Sequence, residues 1–108
     1  MAEIRTITPA QLKELLENGK DFVLVDVREQ NEWDICHIEG ALLRPLSQIS
    51  GWIDALEPDK EYVFHCHHGG RSRQACAMAI AHGVRNVISL EGGIDSWCTA
   101  VEPAMKRY

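Results

Sequence analysis

Tyr62-Val63-Phe64-His65-Cys66-His67-His68-Gly69-Gly70-Arg71-Ser72 passes from an apolar run, through a glycine-bearing loop, to a polar helix start. Glu61 to His65 reads as a strand, and a helix is expected from about Ser72, with Ala75, Cys76, Ala79 and Ile80 on one small-residue face and a stop at Gly83. Such a helix start directs its free N–H groups back at the loop, and its dipole favours negative charge there. Consecutive loop amides add a concave nest for an anion. A cysteine in that bowl is set up to react as the thiolate, which is the nucleophilic form, so Cys66 is expected to be the nucleophile of an enzyme.

The neighbours of Cys66 take roles from the same geometry. Gly69 and Gly70 allow a tight curl and positive φ. A cation at a helix start opposes the dipole, so Arg71 implies an anion that offsets the cost, and Ser72 is either a ligand to that anion or a helix cap. His67 and His68 add polarity or partial positive charge around the bowl. A buried structural thiol is the bland alternative for Cys66, and it fits a strand end followed by two glycines and an arginine poorly. It suits Cys76, which sits among alanines. Cys36 and Cys98 lack an anion-binding setting and are assigned no role.

Outward from the loop, strands and helices alternate. Thr8-Pro9 opens a helix with Leu12, Leu15 and Leu16 inward and Gly19 as its stop. Phe22-Val23-Leu24-Val25 is a continuous apolar run, as in a strand buried on both faces of a parallel sheet. It ends in Asp26-Val27-Arg28-Glu29, where Asp26 and Arg28 are expected to pair or cap loops as structural support. A short helix follows around Gln30 to Ile35. Ala41-Leu42-Leu43 forms a short strand, Ser47 to Leu56 a helix carrying Ile49, Trp52, Ile53 and Leu56, and Asn86 to Leu90 a further strand. Glu91-Gly92-Gly93 is a tight turn before a last helical stretch from Ile94 to Thr99. This alternation predicts a single α/β domain over 1–108 with a mostly parallel central sheet. Ligands bind such sheets beyond the carboxyl ends of the strands, where Asp26, Arg28, Cys66 and the Glu91-Gly92-Gly93 turn all fall.

The 108 residues carry a formal net charge of -5 with both signs interspersed, which argues against nucleic acid because no basic stripe is present. Met1-Ala2-Glu3-Ile4-Arg5 lacks a signal-peptide layout and no run could span a bilayer, so no membrane association and a cytoplasmic location are expected. The four cysteines are scattered without a C-x-x-C pair, which suits reduced thiols rather than a disulfide framework or a cysteine-paired zinc site. His65, His67 and His68 raise a metal site, but adjacent residues seldom converge on one ion and no spaced partner is visible; no metal and no cofactor are expected. Glu102 to Tyr108 reads as a surface tail.

With these pieces in order, the chain closely resembles a single-domain rhodanese, a sulfurtransferase. The resemblance rests on the Cys66 to Arg71 loop, Val25-Asp26-Val27-Arg28-Glu29, His37-Ile38-Glu39-Gly40-Ala41, and Glu91-Gly92-Gly93 followed by Trp97. It implies a three-layer fold with a five-stranded central sheet and backbone amides around a catalytic Cys66. It also implies a reaction without a cofactor: a small anionic donor such as thiosulfate, or a persulfide-carrying protein, passes a sulfane sulfur to Cys66, and cyanide or a cellular thiol removes it. A monomer or weak dimer is the expectation. Four residues separate Cys66 from Arg71, one fewer than the C-x5-R loop of cysteine phosphatases, so the bowl suits a single sulfur better than a phosphoryl group. Many relatives carry arginine or lysine directly after the cysteine, where this chain has His67 and His68; thiosulfate turnover is therefore expected to be weak or to rise at lower pH. A non-catalytic or redox-sensing binding module is the other reading the same domain allows.

Overall fold

The computed structural model describes residues 3–19 and 21–108, so the first two residues of the N-terminal stretch read above lie outside it. In chain order the elements are β1 (Arg5–Ile7), α1 (Pro9–Glu17), β2 (Val23–Asp26), α2 (Gln30–Ile35), β3 (Leu42–Leu43), β4 (Glu61–His65), α3 (Gly70–Ala81), β5 (Asn86–Leu90) and α4 (Gly93–Ala100). The five strands form one sheet in the order β1-β5-β4-β2-β3, and every pairing is parallel. The α/β class and the five-stranded parallel centre are as the sequence and the resemblance implied. β1 has no counterpart in the sequence reading: three residues, two of them exposed, carry no burial pattern to detect.

Alternation along the central strands sorts the core into two layers. Val25, Tyr62, Phe64 and Val87 face α3 and the segment around Trp52 and Ile53. Leu24, Val63, Ile88 and Leu90 face the other way, against Leu12 of α1, Ile38, and Ile94 and Trp97 of α4. A strand buried on both sides must be apolar at successive positions, which is why the middles of β2 and β4, Val23 to Val25 and Tyr62 to Phe64, read as apolar runs. Capping agrees with the sequence at α1, where the Thr8 hydroxyl accepts from Gln11 N–H at 3.2 Å and Gln11 Oε1 accepts from Thr8 N–H at 2.8 Å.

Two expected helices differ. Ser47 to Leu56 is two short 3-10 segments, Leu46–Gly51 and Ile53–Ala55, broken at Trp52 with φ -130. Gly51 and the serines are weak helix formers, and the Trp52 indole donates to Pro45 O at 2.8 Å while its ring is buried, so packing of one side chain outweighs a continuous helix. The helix after the loop starts at Gly70, not Ser72. Gly69, at φ 130, makes the turn into it, a conformation favouring glycine. Gly70 has ordinary helical φ, and a Cβ there would meet nothing, so positive φ is required at one of the two glycines only.

Candidate active site

Cys66 sits at the carboxyl end of β4, 1% exposed, at the base of the loop that leads into α3. Its Sγ accepts from the Gly69 N–H at 3.1 Å and from the Ser72 N–H at 3.4 Å. Both donors come from the turn and first turn of α3, whose amides have no intrahelical acceptor. Negative charge on this sulfur is therefore met by backbone dipoles that need no reorganisation. Ser72 lies inside the helix instead of capping it. Its hydroxyl donates to Gly69 O at 3.0 Å, stands 2.8 Å from Ser89 Oγ on β5, and lies 3.7 Å from the Cys66 sulfur, so it braces the loop from beneath.

A second element clamps the loop from the side. Ile94 N–H donates to Cys66 O at 2.8 Å and Asp95 N–H to His67 O at 3.1 Å, both from the first turn of α4. The backbone comes so close that a Cβ on Gly93, itself at φ 62, would stand 2.6 Å from Cys66 O and closer still to His67 O. The Glu91-Gly92-Gly93 turn is thus part of the site's wall.

Arg71 points at a carboxylate of the protein itself. Its guanidinium makes a two-point pair with Glu32 of α2, at 2.6 and 2.8 Å, and these bonds hold the Glu32 carboxyl at about 2. The anion expected to offset Arg71 is, in this arrangement, Glu32. Asp26 and Arg28 pair as expected, fully buried, with Arg28 donating to both Asp26 oxygens and also to Cys36 O at 2.7 Å. They fix the end of α2, and hence Glu32, relative to the sheet. Their part in the site is one of position.

His67 is half-buried between the rings of His68 and Tyr108, each centroid 4.1 Å away. Burial, with His68 alongside, pushes its imidazole below the ordinary value. His67 is accordingly uncharged at neutral pH, and any gain in cationic character comes at lower pH than a free imidazole would give. His68 is exposed, with Nε2 3.6 Å from Asp95 Oδ2. His65 faces away into the core, with neither ring nitrogen hydrogen-bonded and Nε2 3.7 Å from Asp26 Oδ2.

For metal binding, the structure adds a partner that spacing did not reveal. One donor atom each from His67, His68 and Asp95 lies within 4.8 Å of the others. The two rings, however, are stacked, so their in-plane lone pairs run side by side instead of converging, and Asp95 is already paired with Arg107 at 2.7 Å.

This fold has known counterparts. The chain matches the rhodanese-like domain over residues 8–100. It belongs to that family. Among its relatives is the thiosulfate sulfurtransferase GlpE of Pseudomonas fluorescens, 35% identical over 90% of this chain and 87% of that protein. Another is the probable adenylyltransferase/sulfurtransferase MoeZ of Mycobacterium tuberculosis, 39% identical over 95% of this chain; the chain spans only 27% of that protein. A solved rhodanese-related protein from Thermoplasma volcanium superposes with a TM-score of 0.77 at 34% identity, over 92% of this chain and 95% of that one. These relationships support sulfurtransferase activity in general. No helix among the described residues is long and apolar enough to cross a membrane.

Three residues around the candidate site escaped the sequence. Glu32 is a carboxylate on a short helix with ordinary surface composition, Ser89 is one polar residue in an apolar strand, and Tyr108 lies in a tail that reads as surface. A polar residue inside a run buried on both faces was the one available signal, and it pointed to Ser89.

Proposed function

We propose that this chain is a sulfurtransferase that carries sulfane sulfur as a persulfide on Cys66. The observation that carries the proposal is the pair of backbone N–H groups, from Gly69 and Ser72, aimed at the Cys66 sulfur. With thiosulfate, the Cys66 thiolate attacks the outer sulfur, the S–S bond breaks, and sulfite leaves with the electron pair. The terminal persulfide sulfur then bears the negative charge that the thiolate brought, inside the same amide-lined bowl. Cyanide or a thiolate acceptor attacks that terminal sulfur and departs as thiocyanate or as its own persulfide, returning Cys66 as thiolate. Two half-reactions of this kind give ping-pong kinetics, and no cofactor takes part.

The donor is a small anion such as thiosulfate or a persulfide-carrying protein. Arg71 is neutralised by Glu32, and His67 is held uncharged near neutral pH, so the rim attracts a dianion less than two free cations would. Four free cysteines suit the reducing, cytoplasmic setting assigned here. The test is an intact-mass spectrum after incubation with thiosulfate or a small persulfide donor. A gain of one sulfur atom that cyanide removes and Cys66→Ala prevents supports the proposal. No gain from any donor would sink it in favour of a binding module.

A further inference from the structure

The last residues of the chain fold back over this site. After α4 the chain reverses, with Val101 and Glu102 N–H both donating to Trp97 O at 2.8 and 3.1 Å, and Met105 packs against the core. Arg107 then reaches Asp95 at 2.7 Å and Thr99 at 2.9 Å. Tyr108 makes three directional contacts. Its ring lies on His67 with planes 11° apart, its hydroxyl donates to Glu32 Oε2 at 2.7 Å, and that hydroxyl oxygen accepts from the buried Arg28 at 2.9 Å.

Those anchors sit on opposite sides of the loop. His67 directly follows Cys66, and Glu32 grips Arg71 at the loop's far end. Through His67 at one end and the Glu32 that holds Arg71 at the other, Tyr108 links the two ends of the Cys66 to Arg71 loop. The crevice between the tail and α4, lined by Cys36, His67, Asp95, Cys98, Arg107 and Tyr108, has no room for a water molecule, so the tail packs tightly against His67. At 40% exposure, Tyr108 costs the core nothing to place, yet it is fixed at both ends of its side chain.

We propose that Tyr108 is a specificity-determining residue, a shield that passes slim sulfur donors and acceptors to Cys66 and holds back bulky ones. Because this rests on the sulfur-transfer assignment above, the decisive readout is independent of it. Cys66 is labelled with iodoacetamide or with a pyrene maleimide, and the rates at Cys66 are read by peptide mass. In Tyr108→Ala the bulky reagent is expected to react about tenfold faster while the small one stays within about twofold. Arg107→Ala should move the bulky rate in the same direction by less, and Tyr108→Phe should fall between parent and Tyr108→Ala. Thermal melts confirm that the variants remain folded. Equal acceleration of both reagents, or of neither, would overturn the shield. In a parent that forms the persulfide, Tyr108→Ala should also speed discharge to glutathione but not to cyanide. A parent that forms none refutes the sulfur-transfer assignment, while the labelling rates still decide the shield.

Discussion

Two cysteines are buried near α3, one ahead of its first turn and one within the helix, and their surroundings are opposite. Cys66, just before the helix, points its sulfur at two backbone N–H groups. Cys76, within the helix, is fully buried among apolar neighbours, where burial pushes its thiol up to about 12. Both belong to the same packed layer, so burial alone does not separate the proposed nucleophile from a core atom. The difference is the helix end: free amides exist only in the first turn, and only Cys66 is placed to meet them.

The largest expected effect lies in that contrast. Cys66→Ala should abolish persulfide formation, whereas Cys76→Ala should keep it and lose about 1 kcal/mol of stability, read by mass spectrometry and by denaturant unfolding. If Cys76→Ala removed the persulfide too, the separation of the two cysteines would break. Next come the glycines at the heads of α3 and α4. Gly93→Ala would drive a Cβ into the carbonyls of Cys66 and His67 and should cost about 3 kcal/mol, while Gly70→Ala, with open space around it, should stay within about 0.5 kcal/mol. Chemical unfolding of the two variants side by side checks the pair.

A smaller effect concerns pH. Burial lowers the His65 pKa below the 6.5 of a free imidazole, so between 6.5 and the lower folded value the unfolded chain holds the extra proton. Stability therefore rises with pH across that window and falls on acidification, by at most about 1.4 kcal/mol per pH unit. Unfolding curves at stepped pH should show this slope in the parent and a flatter one in His65→Phe. An unchanged slope in the variant would assign the acid sensitivity elsewhere. The smallest effect is at the rim. Glu32→Gln removes a negative charge beside Arg71 and should lower KM for thiosulfate about threefold with little change in kcat, as suits a partly exposed ion pair. A fall in kcat with constant KM would instead make Glu32 a positioning residue.

Much of the frame was legible because the sheet is buried on both faces. The apolar runs at 22–25 and 62–64, and the mostly apolar 87–90, have no other comfortable home in a chain of this size. Thr8-Pro9 marked α1 through local capping chemistry. What escaped was set by competition beyond the local window. The Ser47 to Leu56 helix gave way to the packing of Trp52, and β1 exists because β5 offers it an edge to pair with, through Arg5 to Ile7 opposite Ile88 to Leu90. The tail was read as surface, correctly by exposure, but its contacts could not be inferred from its composition.

The two halves of the site divide along the same line. The sequence alone determined the floor, since the sulfur and its amide donors are three and six residues apart, and a strand, a glycine turn and a helix start leave a chain few other paths. Only the tertiary structure decided the rim. Glu32 meets Arg71 across 39 positions and Tyr108 meets Arg28 across 80, so their encounter depends on how α2, α3 and the tail pack around the sheet, which no local pattern encodes.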